Sequence, residues 1–240
     1  MRRIKIQLAY DGGGFHGWQT QPGLPTIQGV LEEIVSAMEG APVAVAGSGR
    51  TDAGVHALAQ VAAFTIANPI PTDNLRRALN RLLPSAIRVT AVEEAPAEFH
   101  PRFDAKAKTY EYRIARGEVC SPFEWPYVHH YPYPLDEGRM MRLARVFEGE
   151  HDFTAFAASD DRDAEGRSKV RTVFSSALVS GDGRMTYRVR GSGFLKHMVR
   201  NIVGTLFEAG RRNVEDLAAL PLKCGPTAPA KGLFLVGVEY

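Results

Sequence analysis

Cysteine is scarce in this chain, with two in 240 residues, and that scarcity excludes a disulfide-stapled fold. Cys120 and Cys224 lie far apart and in no metal-ligand spacing, so a reducing, cytoplasmic setting is expected. Long hydrophobic runs are also missing. No stretch of roughly 18 apolar residues occurs, which leaves no membrane-spanning helix to expect. The opening MRRIKIQLAY has basic residues but no uninterrupted apolar core, and it reads as a first strand rather than a signal peptide. A large excess of one charge sign is lacking as well, the net charge being +2. What is present is an ordinary globular balance, 45% hydrophobic and 23% charged, enough to bury a core. The cations are mostly Arg and fall in groups, Arg76, Arg77, Arg81 and Arg88, then Arg139, Arg142 and Arg145, then Arg184, Arg188 and Arg190. Such groups suit a phosphate-bearing partner, because the guanidinium forms forked hydrogen bonds. Solvated faces of helices and strands account for them equally well.

Alternation at Ile4, Ile6 and Leu8 marks a strand through Tyr10. After a Gly-rich stretch, Thr26 can cap a helix with apolar positions at Ile27, Val30, Leu31, Ile34 and Met38, stopped by Gly40. Strands are expected near Val43–Gly47 and Leu58–Ile66, a helix from Pro71 to Leu83, and a strand over Ile87–Val92. The order β-α-β-β-α-β then recurs. A strand at Thr109–Ala115, a helix at Leu135–Phe147, a strand pair at Val170–Val179 and Met185–Arg190, a helix at Phe194–Ala209 ended by Gly210, and a strand at Leu233–Glu239 complete it. Two such units make an α+β protein of two ferredoxin-like halves, 1–100 and 101–240. The polar segment Ser159–Ser168 reads as a mobile surface insertion in the second half.

Several chemistries can be set aside. Residues 12–17, GGGFHG, match G-x-G-x-x-G, but Trp18–Gly23 intervenes before the helix and no acid follows at the next strand end, so no dinucleotide site is expected. The loop instead carries Phe15, His16, Trp18 and Gln19, as a packed turn or as a surface that stacks on bases. Ser48 lacks the spacing of a nucleophile elbow. The histidines include no HExxH, and no metal is expected. What remains is AGSGRTDAGVHALAQVAAF, residues 46–64, in which Asp52 stands between two strand-like runs. An aspartate needs no activation to be anionic at neutral pH, and one kept ionised by Arg50 or Arg200 could act as nucleophile or general base. A turn aspartate bonding backbone amides explains the same residue.

The string Gly49-Arg50-Thr51-Asp52-Ala53-Gly54-Val55-His56-Ala57 resembles the catalytic motif of the tRNA pseudouridine synthase A family. The resemblance runs along the chain: Tyr10-Asp11-Gly12 with Gly17-Trp18-Gln19; Phe99-His100-Pro101-Arg102-Phe103 with Ala105, Lys108, Tyr110 and Tyr112; His151-Asp152-Phe153 with Phe156; Phe194–Asn201; and Gly225–Leu233. Pro101 departs from the family's usual small residue. The resemblance implies a pseudouridine-synthase fold, with a mostly antiparallel central sheet and a cleft between halves. It implies isomerisation of uridine to pseudouridine at positions 38, 39 and 40 of the tRNA anticodon arm, with no cofactor. Asp52 would be the nucleophile, Tyr110 would stack on the target base and assist proton transfer, and Arg200 would pair with Asp52. Substrate contacts would come from Tyr110, Arg50, His56, Trp18 and Arg102, although His56 and His197 also read as satisfied structural histidines. The partners implied are the tRNA anticodon arm and a second copy of the chain, with no membrane.

Overall fold

Strand β1 (Arg2–Tyr10) buries Ile4, Ile6 and Leu8 on alternate positions, as a period of two requires of a sheet with one packed face. A computed structural model describes residues 1–159, 166, 168–211 and 225–240. The chain forms two compact units, Met1–Lys106 with Phe234–Tyr240, and Ala107–Leu233. Most of the expected Ser159–Ser168 insertion, residues 160–165 and 167, lies outside the described residues, as does Cys224.

In the first unit β1 pairs antiparallel with β3 (His56–Ile66) on one side and β4 (Ile87–Ala95) on the other. A short strand, β2 (Ala46–Gly47), pairs antiparallel with β3. The order β4-β1-β3-β2 places β3 between the parallel strands β1 and β2, which is the split β-α-β arrangement. Phe234 and Leu235 of β10 (Leu233–Glu239) lie parallel to His56 and Ala57 on β3. Helix α1 (Ile27–Glu39) begins where Thr26 Oγ1 accepts from Gly29 N and ends at Gly40 with φ 75°. It buries Ile27, Leu31 and Val35, while α2 (Thr72–Leu82) buries Leu75 and Leu79. Pro84 follows the end of α2, as the steric bar on helix before proline predicts.

Residues 43–45, expected as strand, are taken by α1 instead. Val43 N donates to Ser36 Oγ, Val45 N to Glu32 Oε1, and Val45 O accepts from Gln28 Nε2. With those three groups engaged by helix side chains, sheet pairing starts only at Ala46.

The second unit is built on β5 (Ala107–Ala115), with a two-residue strand β6 (His129–His130) alongside it. Then come α3 (Glu137–Val146), β7 (Gly149–Asp152), β8 (Val170–Gly181), β9 (Arg184–Gly191) and α4 (Met198–Arg211). Strands β5, β9, β8 and β7 pair antiparallel in that order. Asp182 and Gly183 join β8 to β9 with φ of 51° and 70°, the backbone that a tight hairpin demands. Tyr112 and Tyr187 are fully buried. Ser176 Oγ donates to Ala144 O at 2.6 Å, so its 2.8 Å bond to Tyr187 must take the phenol proton.

Helix α4 starts four residues later than its apolar pattern predicts. His197 has φ 60°, and Phe194 turns edge-on to Tyr110 at 5.1 Å instead of joining the helix. At the other end Gly210 stays inside α4. A Cβ there would stand 2.6 Å from Met140 Sδ on α3, so this glycine permits helix contact rather than a stop.

Two outcomes are expected. Thr26→Ala should cost about 1 kcal/mol in urea unfolding, the usual worth of an N-cap. His129 is pushed down to about 4, by burial first and then by Lys231, Arg211 and His130. Unfolded, it titrates near 6.5, so between these values the unfolded chain holds the extra proton and stability falls as pH falls. In parallel urea titrations at neutral and acid pH, His129→Phe should lose less stability than the parent across that window.

Candidate active site

The chain between β2 and β3, residues 48–55, is a loop whose last turn is made by its own sequence. Val55 N donates to Asp52 O at 3.1 Å, and Gly54 between them has φ 75°. Asp52 therefore opens the turn Asp52-Ala53-Gly54-Val55, and glycine supplies the left-handed residue that an alanine would resist. Arg50 is exposed, Thr51 is buried and Asp52 is half-buried. The two charged side chains thus flank a residue that faces the interior.

The interior side is a polar network. Tyr10 OH and Thr51 Oγ1 are 2.8 Å apart. Gln60, wholly buried on β3, reaches Tyr10 OH at 3.3 Å and Gly49 O at 3.0 Å through Nε2. Its Oε1 accepts from Ser48 Oγ at 2.6 Å and from Val61 N at 3.1 Å. Burial pushes the Tyr10 phenol up to about 12, the bonds from Thr51 and Gln60 opposing it.

A second loop, following β1, closes over the first. Trp18 N donates to Thr51 O at 3.0 Å and Gly54 N to Phe15 O at 3.3 Å. A Cβ on Gly17 would lie 2.6 Å from Thr51 O, and one on Gly12 would lie 2.0 Å from Val55 O. The backbones thus touch immediately before and just after Asp52. Trp18 is buried, its ring so close over Gly47 that a Cβ there would stand 2.5 Å from it. His56 is buried too, its ring stacked on Phe234 at 4.7 Å. Its Nδ1 stands 3.1 Å from both Gly12 N and Asp11 Oδ1. One nitrogen cannot accept from the first and donate to the second. A backbone N–H can only donate, so Nδ1 is the bare nitrogen and the Asp11 contact is no ion pair in this tautomer.

Of the site residues expected from sequence, Asp52, Arg50, His56 and Trp18 gather at these two loops. Arg102, also in the first unit, is exposed beside Phe103 at 5.7 Å. Tyr110 and Arg200 belong to the second unit. Tyr110, on β5, is buried against Phe194. Arg200, on the first turn of α4, is half-buried and donates from Nε to Ala228 O at 2.8 Å. Among the described residues, no three His, Cys, Asp or Glu side chains come together in a way that could hold a metal ion, and no helix is long and apolar enough to cross a membrane.

Sequence reasoning passed over Tyr10, Thr51 and Gln60 as a connected group. The available signal was Gln60 itself, a lone amide in the apolar run Ala57–Phe64, since a buried polar side chain must find partners.

The close approach at Gly12 is open to test. Gly12→Ala should cost about 1–3 kcal/mol in urea unfolding, as overpacking against fixed backbone does. Gly14→Ala, in open space, should stay within about 0.5 kcal/mol of the parent.

Comparison with known proteins places these features in a family. A family model described as tRNA pseudouridine synthase matches residues 7–104 and 143–240. The chain is 76% identical over 240 residues to tRNA pseudouridine synthase A of Solibacter usitatus, covering all of both proteins. It is 42% identical over 247 residues to the protein of that name from Brevibacillus brevis, again covering all of both. With the Limosilactobacillus fermentum protein of the same name it shares 44% identity over 253 residues, covering all of this chain and 96% of the relative.

Proposed function

Since this chain belongs to the tRNA pseudouridine synthase family, we propose that Asp52 is the nucleophile of its uridine isomerisation. The family converts uridine to pseudouridine in tRNA. The finer reading is that the targets are positions 38, 39 and 40 of the anticodon stem-loop. One observation carries the assignment to Asp52: a half-buried carboxylate opens a turn whose neighbours on both sides are held by another loop's backbone. A carboxylate so held meets its target with little reorganisation, the condition for efficient nucleophilic attack.

The bond balance supports a cofactor-free route. The N1–C1′ bond breaks, uracil turns, and C5 joins C1′; C5 gives up its proton and N1 finishes with one. Nothing is oxidised or reduced, so an enzyme nucleophile and a proton acceptor suffice. Attack of Asp52 on the sugar, addition to the uracil ring and a glycal route all start from the ionised carboxylate.

In this reading Tyr110 stacks on the target base and Arg200 balances the carboxylate charge. The exposed Arg50 and Arg102 contact RNA phosphates, a role guanidinium suits. Trp18 and His56, both buried, shape the loops that carry Asp52. A flipped uridine costs a few kcal/mol of unstacking, which stacking and cationic contacts offset. The reading extends to a homodimer in the cytoplasm, with tRNA touching both subunits; light scattering measures the first part.

Asp52→Asn should abolish tritium release from tRNA labelled at uracil C5, by roughly 10³-fold or more, while tRNA binding and urea stability persist. Release at the parent's rate would remove Asp52 from the chemistry. Pseudouridine mapped outside positions 38–40 in tRNA treated with the parent enzyme would overturn the positional reading.

A further inference from the structure

The Gln60 amide can be oriented without reference to any hydroxyl. Val61 N–H can only donate and lies 3.1 Å from one end of the amide, so that end is Oε1. Gly49 O can only accept and lies 3.0 Å from the other, so that end is Nε2. With the flip settled, the directions of the amide's own bonds follow. Nε2 donates to Tyr10 OH. Tyr10 OH, accepting from Nε2, also shares a hydrogen bond with Thr51 Oγ1 at 2.8 Å, whose proton either hydroxyl can supply. Ser48 Oγ donates to Oε1.

One amide on β3 thus holds three of the four residues before Asp52. It takes the Ser48 side chain and the Gly49 carbonyl directly, and Thr51 through a phenol on β1. The pattern of exposure matches, with Ser48 and Thr51 buried, Arg50 exposed and Asp52 half-buried.

We propose that Tyr10 and Gln60 are positioning residues for Asp52, acting through Thr51 and Gly49 to fix where its carboxylate stands. The proposal rests on the reading of Asp52 as nucleophile. Neither residue exchanges a proton with the substrate. The phenol keeps its proton well beyond neutral pH, and an amide has none to give at any ordinary pH. Their contribution is geometric: a displacement of about 1 Å at a reacting group can cost on the order of 100-fold in rate.

The test is steady-state kinetics on an unmodified tRNA transcript, with Tyr10→Phe, Thr51→Val, the double variant, Thr51→Ser and Asp52→Asn measured side by side. Each protein is first shown to be folded at the assay temperature. Tyr10→Phe and Thr51→Val delete the same hydrogen bond from opposite ends. Each should lower kcat by roughly tenfold or more, with KM for tRNA within about twofold. The double variant should be little worse than the poorer single one, because one interaction cannot be lost twice. Thr51→Ser keeps the hydroxyl and should recover most of kcat, and the Tyr10→Phe pH profile should keep the parent's shape.

A merely structural role would lower the urea midpoint of Tyr10→Phe and leave kcat of the folded protein unchanged, which overturns the proposal. So would fully additive losses, or a Thr51→Ser variant as slow as Thr51→Val. An inactive Asp52→Asn beside a fully active Tyr10→Phe would sink the positioning role alone. An active Asp52→Asn would sink the reading beneath it.

Discussion

A buried amide must find four hydrogen-bond partners or weaken the fold around it, and Gln60 finds all four, two of them in the loop that carries Asp52. The course of the loop before Asp52 follows from that requirement. The donors and acceptors that satisfy Gln60 come from Ser48, Gly49, Tyr10 and its own strand neighbour, so the loop cannot move without breaking bonds inside a wholly buried site. An unsatisfied buried donor or acceptor costs about 1–3 kcal/mol, a large share of what holds a domain folded. The same arithmetic explains why the carboxylate is left at the rim. Desolvating a charge costs more than desolvating an amide, and Arg50 and Asp52 are accordingly less buried than Gln60 and Thr51.

The second constraint is steric. Gly12 and Gly17 let two loops meet backbone to backbone at Val55 and Thr51, distances at which no side chain fits. Trp18 then lies flat across Gly47 and seals the far end. The GGGFHG stretch looks like a phosphate-binding fingerprint when read alone. In the folded chain Gly12 and Gly17 serve the approach of protein backbone to protein backbone, and Trp18 beside them is buried. His56 follows the same logic: its Nδ1 serves Gly12 N–H and its ring covers Phe234.

Much of this was legible before any coordinates. Helices α1 and α2 carry their own boundaries in Thr26, Gly40 and Pro84, and strands β1, β3, β5, β8 and β9 carry theirs in alternation and turn residues. The failures share a cause. Residues 43–45 have strand composition, yet Ser36, Glu32 and Gln28 claim their backbone groups. Phe194–His197 continue the apolar period of α4, yet Phe194 packs on Tyr110 and His197 adopts φ 60°. Gly210 has the composition of a helix stop, yet α3 makes it a contact point. In each case local preference lost to a partner brought in from elsewhere in the chain.

The sequence by itself determined much of the inventory: where most helices and strands fall, that Asp52 can open a glycine turn, and, through a motif that resembles a known family, the chemistry to look for. Those properties depend on neighbours within a few residues, whose spacing is written in the string. Tertiary structure decided which side chains are floor and which are rim. His56 sits in the same motif as Asp52 and Trp18 in the loop that closes over it, but both are buried because Phe234 and Gly47 arrive from distant positions to pack on them. Burial is set by packing between segments far apart in the chain, and no local pattern records it.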